Sequence, residues 1–403
     1  MDFIPTPEQQ KVIDKCVYWF NNQTGYKRTF EITGPAGSGK TSIVKCIVEK
    51  LKLNKSEVAF MTFTGKASLI LLADGIPAKT IHSTIYSPED LPCLDSNGDV
   101  IINDETGKPY TEVRFENKRL KDQIRLLVID ESGMVPVSIG EDLLRKRVPI
   151  IALGDANQLT PIFGKRFFLA NPDCTLQTIL RQKKGSPILE LASRIYVYKY
   201  KRPSDIFRDI NPYGENVQFI PINNYNFNEL ITYDMIICKS NRTRQEMIDL
   251  LRYDIYKRTE DFPVVGDRLI CRKNEWGNTI TDDKIPLFNG MTGIVENVDF
   301  SSITPNKVAI DFKPDLINAS FMNLTIDRKY INTPCYKDRL INSWKSSYSL
   351  FQYSYAITCH LAQGSQYNSV CIIFPNYKFN DDDRRWLYTA VTRAVNNVII
   401  LYY

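Results

Sequence analysis

The sequence predicts an α/β fold with parallel sheets, and two observations lead to that prediction. Short apolar runs rich in β-branched residues recur along the 403-residue chain, at 58–63, 126–129, 150–153, 235–238, 370–374 and 398–402. Apolar residues at helical spacing, such as Ile43, Ile47 and Leu51, lie between several of these runs. Uninterrupted apolar runs are typical of parallel strands that helices cover on both faces. Two such sheets would fit, with the active site at the carboxyl ends of the strands.

A phosphate-binding loop follows the first candidate strand. Residues 34–41 match the pattern G-x-x-x-x-G-K-[ST], between a strand-like segment at 30–33 and a helix-like segment at 42–48. In such a loop, glycines let backbone N–H groups turn towards phosphate oxygens, the lysine adds a positive charge, and the hydroxyl is placed for Mg²⁺. A glycine-rich turn that only caps a helix is the alternative. We predict that ATP is bound by Gly34, Pro35, Ala36, Gly37, Ser38, Gly39, Lys40 and Thr41.

Two adjacent carboxylates end the apolar run at 126–129. These are Asp130 and Glu131. We expect Asp130, with Thr41, to hold Mg²⁺ and Glu131 to orient and deprotonate an attacking water, because the two tasks need carboxylates in different surroundings. A solvated strand end is the alternative for any Asp-Glu pair, but the preceding phosphate loop favours the catalytic interpretation.

Length and composition indicate a multidomain enzyme without a membrane span. Hydrophobic residues make up 43% of the chain, and the net charge of +5 permits an anionic partner without requiring one. No apolar run approaches the roughly 18 residues that a membrane span needs, and the first residues lack the basic start and apolar core of a secretory leader. We therefore expect a cytoplasmic protein of a bacterium or a phage-infected cell.

Two segments depart from the α/β pattern. Residues 264–349 contain short alternating runs separated by Gly, Pro, Asn and Asp, which predicts a small β-barrel insertion. Residues 87–117 carry turn signals between apolar runs, which predicts a projecting hairpin.

Further segments follow the order of motifs in a known enzyme family. Residues 5–10, 154–159, 176–182 and 388–394 resemble that family's nucleotide-side motifs, and residues 62–67, 79–83, 240–241 and 356–365 resemble its nucleic-acid-side motifs. Together with the phosphate loop and the carboxylate pair, the set resembles superfamily 1 helicases. Within them it is similar to superfamily 1B, the RecD-like and phage Dda-type group that moves 5′ to 3′ on single-stranded DNA.

The resemblance implies roles for four residues on the nucleotide side. Gln10 stands at the position that reads the adenine base, and Gln158 at the position that senses the γ-phosphate. Arg181 and Arg393 stand where the family has arginine fingers. Cations that arrive from a neighbouring domain stabilise a dissociating γ-phosphoryl group and sense its loss. The implied catalytic set is Lys40, Asp130, Glu131, Gln158, Arg181 and Arg393.

On the nucleic-acid side the resemblance implies contacts that position a strand without reading its bases. Hydroxyl and amide side chains near helix starts suit phosphates, and an aromatic ring adds stacking. Phe63 replaces the family's usual proline, and Leu361 replaces the lysine that usually follows the histidine. The implied contacts are Phe63, Thr64, Lys66, Thr80, His82, Ser240, Asn241, Thr358, His360 and Gln363, with core packing or a turn as the alternative for each.

The resemblance also implies an architecture of two RecA-like P-loop NTPase domains with ATP between them. The expected first domain spans 1–185, the second spans 186–263 and 350–403, and an SH3-like barrel spans 264–349. The expected function is ATP- and Mg²⁺-dependent 5′ to 3′ translocation on single-stranded and fork DNA with unwinding of duplex. We expect a monomeric enzyme that works with replication or recombination proteins. Three alternatives stay open: an RNA helicase of the same architecture, a P-loop phosphotransferase, and a non-catalytic DNA-binding module that ATP switches.

Overall fold

The computed structural model describes residues 3–95, 97–102, 109, 111–162, 164–178, 186–197, 216–281, 285–299, 307–335, 348–375 and 379–403. By its contacts the chain divides into two compact units that alternate along the sequence. The first unit comprises Met1–Ile85, Asn117–Tyr225 and Ala362–Tyr403, and the second comprises Tyr86–Glu116 and Asn226–Leu361.

Helices and strands alternate in most of the chain. In chain order the helices are α1 (Pro7–Asn22), α2 (Lys40–Lys50), α3 (Gly65–Ala73), α4 (Ile81–Ile85), α5 (Val137–Arg145), α6 (Pro187–Val197), α7 (Asn241–Asp249), α8 (Arg328–Ile331), α9 (Cys359–Ala362) and α10 (Asp381–Val391). The strands are β1 (Thr29–Thr33), β2 (Val58–Thr62), β3 (Lys79–Thr80), β4 (Tyr86–Pro92), β5 (Thr111–Asn117), β6 (Leu126–Asp130), β7 (Ile150–Gly154), β8 (Cys174–Thr175), β9 (Val217–Pro221), β10 (Met235–Cys238), β11 (Arg268–Cys271), β12 (Glu275–Ile280), β13 (Ile285–Leu287), β14 (Thr292–Asp299), β15 (Lys307–Pro314), β16 (Phe321–Asp327), β17 (Phe351–Tyr353), β18 (Ala356–Thr358), β19 (Tyr367–Phe374) and β20 (Ala394–Tyr402).

The first unit contains a six-stranded parallel sheet in the order β3-β2-β6-β7-β1-β8. Its strands β2, β6 and β7 are three of the predicted apolar runs, and every residue of β7 is buried. Since all the strands run the same way, their carboxyl ends meet at one edge of the sheet. The phosphate loop follows β1 at this edge, and the carboxylate pair follows β6.

Helices α1 and α2 cover one face of this sheet. Their apolar stripes, including Ile13, Trp19, Ile43 and Ile47, pack in one core cluster with residues of the strands such as Ile32. Helix α1 starts with a capping box, in which the Thr6 hydroxyl accepts from the backbone N–H of the third helical residue, and Pro7 occupies its first position. The start of α1 is therefore well defined by local sequence.

The first unit also contains three parallel strands from the carboxyl-terminal part of the chain, in the order β19-β20-β9. The predicted apolar runs at 370–374 and 398–402 form the carboxyl-terminal halves of β19 and β20, and both runs are almost completely buried. Helix α10 packs on these strands, with the ring of Trp386 5.8 Å from that of Phe374. The predicted α/β class with parallel sheets is confirmed.

The second unit combines a parallel strand pair, β10 and β18, with an antiparallel sheet in the order β16-β15-β14-β11-β17. A further bridge joins Ile326 of the edge strand β16 to Ser349, two residues before β17. The sheet therefore curls back on itself, as a barrel does. Because β17 ends at Tyr353, the sheet continues beyond the predicted limit at residue 349.

The predicted hairpin lies in the second unit as well. Strands β4 and β5 form a two-stranded sheet, and antiparallel bridges join Leu94 to Val100 and Ile102 to Pro109. Leu94, Val100, Ile102 and Phe115 are all more than 40% exposed. None of the helices in the described part of the chain combines the length and apolar character that a membrane span requires.

Candidate active site and nucleic-acid interface

The phosphate loop is held open around its lysine. Gly37 and Gly39 have φ angles of 80° and 81°, a left-handed conformation that glycine adopts without strain. The Lys40 Nζ atom lies inside the loop, where it donates to the carbonyls of Gly34 at 2.7 Å and Pro35 at 2.9 Å. Gly34 has no room for a side chain, since a Cβ there would lie 2.8 Å from the Ser38 hydroxyl. The loop and the start of the 11-residue helix α2 thus form a cradle that suits phosphate.

The two residues that are predicted to hold a metal meet where β6 ends. The Thr41 hydroxyl donates to Asp130 Oδ2 at 3.1 Å, and the second Asp130 oxygen accepts from the Glu131 backbone N–H at 2.8 Å. A hydroxyl and a carboxylate in contact are ligands that Mg²⁺ prefers, with substrate phosphates and water completing its shell. The described residues contain no cluster of three or more His, Cys, Asp or Glu that could hold a metal alone. The pair therefore fits a metal that arrives with a nucleotide.

Glu131 has an unusual backbone and an unusual charge environment. Its φ of 51° lies in the left-handed region, which non-glycine residues adopt rarely and at a cost in conformational energy. Burial and the neighbouring Asp130 carboxylate raise the pKa of Glu131, while the positive charges of Arg393 and Lys40 oppose that rise. Two adjacent carboxylates with different surroundings are suited to different tasks, one to a metal and the other to a proton.

The loop after β7 contains the predicted sensor residue. Gln158 is buried, 6% exposed. We call residues 155–159 the sensor loop. At its start, the Tyr388 hydroxyl donates to the Asp155 carboxylate at 2.7 Å, and the Arg385 guanidinium donates to the Ala156 carbonyl at 2.7 Å. At the end of the loop, the Leu159 N–H donates to the Thr389 hydroxyl at 3.0 Å, and the Leu159 carbonyl accepts from the Gln363 amide at 3.3 Å.

Arg393, one of the two predicted arginine fingers, is buried and held by hydrogen bonds. It is 3% exposed, and it donates to the Thr389 carbonyl at 3.0 Å, the Ser365 carbonyl at 3.1 Å and the Thr392 hydroxyl at 3.2 Å. Its charge acts on Glu131, as the opposing effect on the pKa of that carboxyl shows. Arg181, the other predicted finger, lies outside the described residues.

The glutamine that reaches the phosphate loop is Gln9 and not the predicted Gln10. The Gln9 side chain is buried and donates to the Ser38 carbonyl at 3.0 Å, while its oxygen accepts from the Thr6 N–H at 3.0 Å. Gln10 instead donates to Asp14 on the partly exposed side of α1 at 2.7 Å. The two residues differ because successive helical residues point about 100° apart. The Thr6-x-x-Gln9 capping box is the sequence signal that identifies Gln9.

In the first unit, the predicted nucleic-acid contacts lie at the carboxyl ends of β2 and β3. Thr64 caps α3 by accepting from the Ala67 N–H at 3.3 Å, and Thr80 accepts from the Ser83 N–H at 3.1 Å. The rings of Phe63 and His82 meet edge to face at 6.1 Å between centroids, and burial lowers the pKa of His82.

Two further predicted contacts in this unit are buried. The Lys66 ammonium contacts the Tyr367 hydroxyl at 3.3 Å and lies 5.3 Å from its ring centroid. Gln363 is 3% exposed and its amide contacts the sensor loop. These contacts inside the protein were not predicted from the sequence, and nor were those of Arg385, Tyr388 and Thr389. Their positions i, i+3 and i+4 in the sequence are the signal that could have predicted that Arg385, Tyr388 and Thr389 share one face of a helix.

The predicted contacts in the second unit lie at the ends of its parallel strand pair. After β10, the Ser240 hydroxyl caps α7 by accepting from the Thr243 N–H at 3.0 Å, and Asn241 is exposed. Thr358 and His360, both partly buried, lie at the end of β18 and the start of α9.

Parts of the chain match known protein families, and most of it is similar to known proteins. Residues 21–164 match a family model described as an AAA domain, and residues 353–401 match one described as a UvrD-like helicase C-terminal domain. The chain is 23% identical to the RecBCD enzyme subunit RecD of Buchnera aphidicola (subsp. Schizaphis graminum), over 90% of this chain and 68% of that protein. It is 30% identical to the ATP-dependent DNA helicase dda of Enterobacteria phage T4, over 42% of this chain and 38% of that protein.

The fold has a counterpart among solved structures. The crystal structure of Bacteroides Pif1 bound to ssDNA matches with a TM-score of 0.58 and 19% identity, over 99% of this chain and 92% of that one. This likeness shows the shared fold, two RecA-like domains. The chain spans only 36% to 68% of the length of the first curated relatives it matches. The ordered motifs and these matches make the chain similar to the RecD-type and Dda-type DNA helicases of superfamily 1B.

Proposed function

We propose that this chain is an ATP-driven motor that moves 5′ to 3′ on single-stranded DNA and unwinds duplex ahead of it. The observation that carries the proposal is that one compact unit holds the Lys40 cradle, the Thr41–Asp130 pair and Glu131 with the charge of Arg393 beside it. These are the parts that hydrolysis of a nucleoside triphosphate requires.

ATP would be held with its phosphates in the loop at 34–41, and Mg²⁺ would be held by Thr41 and Asp130. When bound, Mg²⁺ neutralises charge that develops on the phosphate oxygens. The Lys40 ammonium supplies a second positive charge at the same place. Gln9, whose amide already contacts the loop, replaces Gln10 as the residue we propose on the adenine side.

Glu131 is the proposed general base. Because its pKa is raised, its carboxylate accepts a proton more readily than an ordinary glutamate, which suits removal of a proton from an attacking water. Asp130 remains committed to Thr41 and to the backbone of Glu131. The left-handed backbone of Glu131 is a strained conformation of a kind that clusters at active sites.

Arg393 is the proposed arginine finger from the carboxyl-terminal domain, and Arg181 the second one. Arg393 uses hydrogen bonds to two carbonyls and a hydroxyl to stay beside Glu131. A γ-phosphate oxygen would compete for those donors because a charged acceptor binds a guanidinium more strongly than a carbonyl does. Nucleotide binding would therefore draw Arg393 towards the phosphate and close the cleft.

The proposed DNA contacts are mostly backbone N–H groups and hydroxyls at helix starts. Thr64, Thr80 and Ser240 cap their helices, which orders the turns that would face phosphates. In the first unit two of the predicted segments adjoin, since a Cβ on Gly364 would lie 3.2 Å from Ala67. Such contacts would hold a strand of any sequence, and the ring of Phe63 would add stacking.

The proposed domain organisation assigns 1–185 and the combination of 186–263 with 350–403 to the two RecA-like domains. The barrel is proposed to be SH3-like, and the exposed apolar side chains of the hairpin at 87–117 are proposed to meet the duplex at the fork. We further propose a monomeric enzyme that acts on single-stranded and fork DNA in the cytoplasm of a bacterium or a phage-infected cell.

Two measurements test the proposed function. Replacing Lys40 by Ala removes the cradle's positive charge, and we expect it to abolish DNA-stimulated ATP hydrolysis; a fully active variant would refute the site. A duplex with a single 5′ tail of DNA should be unwound, and one with a single 3′ tail should not. The opposite preference would overturn the polarity, and equal stimulation by DNA and RNA tails would overturn the choice of DNA.

A further inference from the structure

The sensor loop is attached to the carboxyl-terminal part of the first unit at both of its ends. Tyr388 and Arg385 bind its start at Asp155 and Ala156, and Thr389 and Gln363 bind the backbone of its last residue, Leu159. Gln158 lies directly before that residue. Besides Thr33 and Arg166, which bond to Ala156, groups from the carboxyl-terminal part of the sequence therefore help to position Gln158.

Thr389 bonds both to the sensor loop and to the proposed arginine finger. Its hydroxyl, which is completely buried, donates to the Arg385 carbonyl at 2.7 Å and accepts from the Leu159 N–H at 3.0 Å. Its own carbonyl accepts from Arg393 Nε at 3.0 Å. One residue thus holds the sensor loop with its side chain and the proposed arginine finger with its backbone.

Helix α10 makes this connection stiff. Arg385, Tyr388 and Thr389 lie on one face of the helix, and Arg393 follows directly after its end. A shift of Arg393 that carries the end of α10 would therefore also shift Leu159 through Thr389. The Leu159 carbonyl accepts a hydrogen bond from the Gln363 amide. Gln363 lies in the segment that is proposed to contact DNA.

We propose that Thr389 is a positioning residue that couples the arginine finger and the DNA-side segment to the Gln158 loop. The inference rests on the proposed function. The hydrogen bond from Leu159 to Thr389 determines how strongly bound DNA stimulates ATP hydrolysis. Because the Thr389 hydroxyl is completely buried and bonds to Leu159 and Arg385, it acts through these partners.

The experiment compares Thr389→Val with Thr389→Ser in the full chain. Valine keeps the shape of threonine and removes the acceptor, whereas serine keeps the acceptor and removes the methyl group. For each protein, ATP turnover is measured over a range of ATP concentrations, with and without an oligothymidylate. We expect the stimulation by DNA, as a ratio of kcat values, to fall about tenfold in the valine variant and to recover in the serine variant.

A second readout separates coupling from a general defect. By linkage, a nucleotide that changes DNA affinity does so by the same factor by which DNA changes nucleotide affinity. The ratio of oligothymidylate Kd values with ADP and with a non-hydrolysable ATP analogue should therefore move towards one in Thr389→Val. A packing defect alone would lower Tm without changing this ratio.

The outcomes are distinct. If the wild-type chain shows no DNA-stimulated hydrolysis, the proposed function fails. If the wild type is stimulated and Thr389→Val is stimulated equally, or if Thr389→Ser is as defective as Thr389→Val, the coupling role of the hydroxyl is overturned. If Thr389→Val does not fold, Tyr388→Phe is the substitute, because it removes the neighbouring hydrogen bond to Asp155. We expect Tyr388→Phe to lower the ratio of kcat values with and without DNA. An unchanged ratio of kcat values would overturn the proposal.

Discussion

The proposed nucleotide pocket and the proposed strand-contact segments use similar polar residues in opposite ways. In the pocket, the Thr41 hydroxyl contacts Asp130, and the Lys40 ammonium lies inside the loop against the carbonyls of Gly34 and Pro35. In the strand-contact segments, Thr64, Thr80 and Ser240 bond to the backbone of their own helices. The pocket therefore holds its reactive groups ready for a ligand, whereas the segments use their hydroxyls to order a backbone. We therefore expect substitutions in the pocket to lower ATP turnover, and substitutions in the segments to lower DNA affinity or the free energy of unfolding.

The largest expected effect comes from the pocket. Glu131→Gln keeps the size of the side chain and removes the proton acceptor, so kcat should fall about 10²- to 10⁴-fold, the usual contribution of a general base. Nucleotide affinity should change little. Glu141→Gln, at an exposed position of α5, is the matched control. A Glu131→Gln enzyme that turns over ATP at the wild-type rate would mean that another group takes the proton.

A smaller effect is expected at the ring in the strand-contact region. Phe63→Leu removes a stacking surface that contributes about 1 to 3 kcal/mol per base in comparable sites, so the Kd for an oligothymidylate should rise about 5- to 100-fold. Phe63→Trp, which keeps a stacking surface, should bind nearly as tightly as wild type. If Phe63→Leu binds the oligonucleotide with unchanged affinity, the ring only packs against His82.

The smallest expected effect tests the use of hydroxyls as caps. Thr64→Ala should lower the free energy of unfolding by about 1 kcal/mol, as the loss of a helix cap usually does, and Thr64→Asn should restore most of it. Urea unfolding measures both. A Thr64→Ala protein with full stability and strongly weakened DNA binding would show that the hydroxyl contacts the strand directly, and would remove the contrast between the two regions.

Much of the nucleotide site could be predicted because its motifs are local. Residues 34–41 form one continuous turn, and Asp130 and Glu131 are neighbours at the end of a buried strand, so spacing alone indicates their geometry. The strands β2, β6 and β7 were predictable because burial on both faces leaves continuous apolar runs. Gln9 was missed since two adjacent glutamines look equivalent until the helix turns them in different directions.

The sequence by itself determined the α/β class, the phosphate-loop motif and the adjacent carboxylates, because each is recorded in residues close together in the chain, and the order of its motifs gave the resemblance to helicases. Only the tertiary structure decided that Thr389 bonds to Leu159, that Gln363 faces the sensor loop and that the Arg393 charge acts on Glu131. These contacts join segments separated by more than 200 residues, as between Leu159 and Thr389 or Gln363. No local pattern encodes such pairs, because they depend on how packed helices and strands bring distant side chains together.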